Sequence, residues 1–83
     1  MPKYLDHHAA MPNMPQEAVA ELKKKLESKQ PDQFGVIGLN MFMGKDQIWC
    51  YVEAANPEAI HKAHEAMGVK LGAGDVTEVQ SLV

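Results

Sequence analysis

Four histidines, one cysteine and eleven carboxylates carry most of the reactive chemistry in this 83-residue chain. Two of the histidines stand in the opening run Lys3-Tyr4-Leu5-Asp6-His7-His8, where strand alternation puts Asp6 and His8 on one face and His7 on the other. Glu53 closes a later run and shares a face there with Trp49 and Tyr51, while Glu78 lies in the last apolar stretch. One imidazole with three carboxylates repels itself unless protons or a cation neutralise the group. Such a nitrogen and oxygen set suits a divalent ion such as nickel, zinc or manganese. His61, His64 and Glu65 form a second set, spaced so that they are neighbours on a helix surface.

Each of these residues also has a purely structural use. Ile60, Ala63, His64 and Met67 make the stripe that faces a sheet, so His64 reads as a buried, hydrogen-bonded core residue with His61 solvated beside it. His7 shares its parity with Leu5 and reads as a helix-facing donor to a backbone carbonyl. Cys50, between Ile48 and Val52, reads as a small buried hydrophobe with no base nearby. The six methionines read as filler for core or interface rather than as a copper site. Met41 and Met43 lie in a strand, Met67 in the helix stripe, and Met11 and Met14 beside loop prolines. Gly35 and Gly38 make no phosphate loop, because neither opens a helix after a strand.

The elements that must position these groups follow from periodicity and punctuation. Lys3 to Ala9 is a first strand, and Pro12, Asn13 and Pro15 mark a loop. Val19, Leu22 and Leu26 recur at helical spacing from Pro15 to about Lys29, and Pro31 stops that helix. Phe34 to Met43 and Gln47 to Ala54 form a hairpin about Gly44-Lys45-Asp46. Asn56-Pro57-Glu58 caps and opens a second helix ending at Gly68, and Val76 to Val83 is the last strand. The order predicts an α+β, ferredoxin-like βαββαβ sandwich as a single domain over 1–83, with four antiparallel strands in the order 4-1-3-2. Both helices are expected on one face. Strands one and three are read as parallel neighbours, so that Asp6, His8, Glu53 and Glu78 meet at one sheet edge on the open face, beside Tyr4, Trp49 and Tyr51. A small domain with an open aromatic face calls for a second copy, and a dimeric α+β barrel is the expected assembly.

Charge removes other classes. Eight lysines, no arginine and eleven acids give a net charge of -3, without the basic stripe that nucleic acid requires. No run approaches the ~18 apolar residues of a membrane span. One cysteine cannot form an intramolecular disulfide, and the opening residues lack a signal-peptide core, so the chain reads as one for a reducing cytoplasm.

Several segments carry a resemblance: Met1-Pro2-Lys3-Tyr4-Leu5-Asp6-His7-His8, Trp49-Cys50-Tyr51-Val52-Glu53-Ala54, His64-Glu65-Ala66-Met67-Gly68 and Val76-Thr77-Glu78-Val79. They resemble a family of short bacterial proteins whose best-described type is an actinobacterial nickel-binding protein. The resemblance implies a ferredoxin-like subunit, a dimer with a shared barrel interior, and Ni(II) held by histidine and oxygen ligands. Asp6, His8, Cys50, Glu53, His64, Glu65, Gly68 and Glu78 fall on its recurrent positions. His7, His61 and the Met- and Pro-rich loop depart from it, as does the lack of arginines in the second helix. Asp6, His8, Glu53, His64 and Glu78 are therefore the candidate metal ligands, with a buried His64 able to orient a strand-one side chain.

Three functions compete. The leading one is a dimeric protein that sequesters, stores or senses a divalent ion, nickel first. The second is a small barrel enzyme, cofactor-free monooxygenase-like or isomerase-like, using a His and acid pair as general base. An apolar pocket ending on His64 favours it, and a filled interior removes it. The third is an interaction module, which predicts no convergent polar cluster.

Overall fold

A computed structural model describes residues 1–9 and 15–82. The first loop, with Pro12, Asn13, Met11 and Met14, and the terminal Val83 lie outside the described residues. Strand β1 spans Lys3–Ala9. Helix α1 spans Gln16–Ser28 behind an extended Pro15, whose carbonyl accepts from Ala18 and Val19. It ends at Lys29, whose φ of 53° turns the chain left-handed ahead of Pro31.

Strand β2 spans Ile37–Met43 rather than beginning at Phe34. The reason is local. Asp32 Oδ1 accepts from the N–H groups of Phe34 and Val36, at 2.8 and 3.0 Å, and winds those residues into a turn. Strand β3 spans Gln47–Glu53, and helix α2 spans Pro57–Ala66. The Asn56 side chain caps α2 by accepting from Ala59 N–H at 3.0 Å, with Pro57 at its first turn. At its other end Gly68 takes φ 78°, which lets its own N–H reach Glu65 and that of Val69 reach His64. A short 3-10 turn, Ala73–Asp75, leads into β4, Val76–Val79, which stops four residues short of the expected end.

The sheet order is β2-β3-β1-β4, which from the β4 edge reads 4-1-3-2, and every neighbouring pair is antiparallel. The parallel pairing of β1 with β3 is therefore wrong. A tight turn joins β2 to β3 and reverses the chain, whereas the α1 crossover returns β2 in the direction of β1; β3, lying between them, must oppose both. The register pairs Tyr4 with Val52, Asp6 with Cys50 and His8 with Ile48. Directly opposed residues share a face. Tyr4, Asp6 and His8 thus lie with Ile48, Cys50 and Val52 on the helix side, while Leu5, His7, Trp49, Tyr51 and Glu53 occupy the open side. The first strand is turned over relative to expectation.

Both helices cover that one side: Leu22 and Leu26 of α1 and Ala63 and Met67 of α2 wall a common space above Met41, Cys50 and Val52. The core is Tyr4, Ile48, Cys50, Val52, Ala54, Ile60, Ala63 and Leu71, with Val36 at its margin. It belongs to α2. No residue of α1 is buried, so that helix rests on the sheet by its half-buried Ala18, Leu22 and Leu26.

Candidate metal centre

Asp6 is the anomaly from which the site is built. Its carboxylate is 0% exposed in the middle of β1, and neither oxygen has a hydrogen-bond partner among the described residues. A buried carboxylate without compensation is costly by several kcal/mol, so what surrounds it matters. Antiparallel register sets Cys50 directly across on β3. One strand pleat further along β1, His8 points to the same side, and α2 lays His64 over all three. One donor atom from each of Asp6, His8, Cys50 and His64 lies within 4.8 Å of every other.

Hydrogen bonds outside the group aim both rings. The Nδ1–H of His64 donates to Ile60 O at 2.9 Å, one helical turn back. His8 Nδ1–H donates to Ala9 O, also at 2.9 Å. A carbonyl can only accept, so Nδ1 carries the proton in each ring and Nε2 is left facing the cluster. His64 Nε2 lies 3.4 Å from Asp6 Oδ1, near enough for an ion pair but without hydrogen-bond geometry. His8 Nε2 lies 4.0 Å from Cys50 Sγ, and the two rings meet edge to face with centroids 5.4 Å apart.

The protonation states follow from this crowding. Burial pulls the His64 imidazole down, but the Asp6 carboxylate and the Ile60 carbonyl, helped by the charges of Asp6 and Asp32, outweigh it and hold the ring above its ordinary value. Burial first, then the Asp6 carboxylate beside it, push the Cys50 thiol up to about 12. In the metal-free protein the site is stabilised by protons.

Such a group fits a divalent cation. One carboxylate and one thiolate balance its charge, two neutral imidazoles complete the donors, and the orphaned Asp6 oxygens gain a partner. Mixed sulfur, nitrogen and oxygen donors favour nickel, cobalt or zinc over magnesium, calcium or manganese.

The expected ligands divide accordingly. Asp6, His8 and His64 come together. Glu53 does not: it faces Lys3 and Ile37 on the open side, five residues along β3 from Ile48, the partner of His8, or ~17 Å. Glu78 shares the helix side but stands opposite Tyr4, exposed at the sheet edge. There, after burial itself, its charge raises the Tyr4 phenol. The expected convergence of Glu53 and Glu78 with Asp6 and His8 rested on a parallel β1–β3 pair, and the antiparallel register removes it. Cys50 is the residue set aside in the sequence, because alternation there put Asp6 and His8 on the open face and Cys50 beneath the helices; the register that turns β1 over brings Asp6 directly opposite it. His7 lies on the open side, 3.5 Å from Asp75, and His61 and Glu65 stay outside the group.

Residues 4–79 match the family described as "Nickel responsive protein SCO4226-like". No curated protein and no solved structure matched.

Proposed function

The chain belongs to the SCO4226-like family of nickel-responsive proteins, and from that premise we propose that it is a small divalent-metal-binding protein holding nickel at Asp6, His8, Cys50 and His64. One observation carries the reading: a fully buried carboxylate with no hydrogen-bond partner sits among three further metal donors. Three of the four donors are buried, which suits sequestration, storage or sensing, where an ion is held rather than presented to a substrate. A thiol ligand needs reducing surroundings, consistent with residence in the cytoplasm.

The second copy expected from sequence remains part of this proposal. Leu5, Trp49 and Tyr51 are half-buried on the open face, and Phe42, at the β2 edge of the same face, is 53% exposed. Packing two such faces together would bury them and build a dimeric barrel. Light scattering behind size exclusion tests this, with a monomer mass as the adverse result.

The test of the function is calorimetric titration of tag-free, reduced protein with Ni(II), Co(II) and Zn(II). One ion per chain, recovered by EDTA, is expected. The variants His64→Ala and Cys50→Ser should each lose at least about a hundredfold in affinity, the scale of removing one partner from a buried charged set. Absence of binding tighter than buffer would end the proposal.

One observation favours the enzyme reading: an apolar cavity of about 110 Å³ does end on Cys50 and His64. Substrate pockets usually enclose ~300 Å³ or more. The space is too small for most organic substrates, and the metal reading is preferred.

A further inference from the structure

The same cavity has a role that binding alone does not explain. Cys50 and His64 are only 6% and 5% exposed and Asp6 is fully buried, so an ion reaches these donors either past the half-exposed His8 or through the space between helices and sheet. The cavity lies between α1, α2 and the helix side of the sheet, and two of the four donors form its floor. Its walls carry two more sulfurs. Met67, at the end of α2, is 59% exposed, and Met41, the cross-strand neighbour of Cys50 on β3, is half-buried. An exposed thioether, a half-buried thioether and a buried thiol therefore line one space. Thioethers are neutral, weak ligands for soft and borderline ions. They can pass such an ion inward without holding it against a thiolate and two imidazoles. Lys25 and Asp32, of opposite charge, share the wall and leave no net barrier to a cation.

The wall formed by α1 is also the part of the fold most easily displaced. That helix has no buried residue. A Cβ on Gly38 of β2 would stand 2.8 Å from Leu26 Cδ2, so a leucine side chain rather than fixed backbone closes that side.

We infer that this cavity is the loading passage of the metal centre, with Met41 and Met67 as its relay and α1 as its movable wall. The inference rests on the metal-binding reading and adds to it the path by which the ion reaches the buried donors.

Stopped-flow mixing of the reduced full-length chain with Ni(II) tests it, following the thiolate-to-nickel charge-transfer absorbance, with release measured by an excess of EDTA. Leu26→Phe narrows the passage without touching a donor, and the volume-conserving pair Met41→Leu with Met67→Leu removes the relay. Loading and release should both slow by about tenfold in Leu26→Phe while the equilibrium constant moves by less than about threefold, because a passage changes rates and not end states. The double methionine variant should load about fivefold more slowly, and thermal unfolding of both confirms that they fold. Wild-type rates in both folded variants would overturn the inference and place entry at the half-exposed His8 end. No absorbance change in the wild type, with no heat on titration, would instead refute metal binding itself.

Discussion

Metal uptake by this protein should release protons, and the structure sets how many. The Cys50 thiol, raised to about 12 by burial and by Asp6, is fully protonated at about pH 7, five units lower. Ionising it there costs about 7 kcal/mol, which the charge of a bound cation must offset. Coordination by a thiolate thus expels one whole proton per ion. His64, held above its ordinary value by the Asp6 carboxylate and the Ile60 carbonyl, must give up any proton it carries at Nε2 before it can coordinate. The sum is between about one and two protons per ion. The logarithm of the affinity should rise with pH at a matching slope, without levelling off below about pH 9 because Cys50 remains protonated there. Calorimetric titration with Ni(II) in three buffers of different ionisation enthalpy yields the count directly. In Cys50→Ser the count should fall by about one, and the thiolate-to-metal absorbance should vanish. A wild-type release near zero, or a Cys50→Ser count equal to that of the wild type, would show that the thiol is not a ligand.

Other outcomes follow from particular contacts. Because Glu53 and Glu78 lie outside the donor group, Glu53→Gln and Glu78→Gln should leave nickel affinity within about threefold of wild type by calorimetry, far from the hundredfold cost of losing a buried donor. For the metal-free protein, a folded His64 value above the unfolded one of about 6.5 means that its stabilisation is fully present below that pH and is lost as pH rises through the folded value. Urea midpoints measured across that range should fall accordingly. Asp6→Asn should abolish or reverse the trend, since burial then dominates the ring. Lys29, at φ 53° beyond α1, stands where glycine is favoured, and Lys29→Gly should raise stability by about 0.5–1 kcal/mol with an unchanged urea m-value.

Much of the architecture is written in local chemistry. Asn56-Pro57 starts α2 and Gly68 ends it because capping, a fixed proline φ and a left-handed glycine act within a few residues of chain. The hairpin about Gly44 and the spacing of Val19, Leu22 and Leu26 are local in the same sense. Even strand direction was within reach, since a tight β2–β3 turn together with a helical crossover from β1 to β2 makes β3 antiparallel to both.

What the residues of β1 do not reveal is which of their two faces goes inward. Alternation places Asp6 and His8 together but has no sign, and the usual rule sends the polar set to solvent. Here the rule fails because burial of Asp6 is tied to His64 and Cys50, two residues distant in sequence. Local sequence determined the strands, the helices and the pairing of Asp6 with His8 on one face. Only the tertiary structure decided that this face lies beneath α2, because cross-strand register and helix packing act between segments more than forty residues apart.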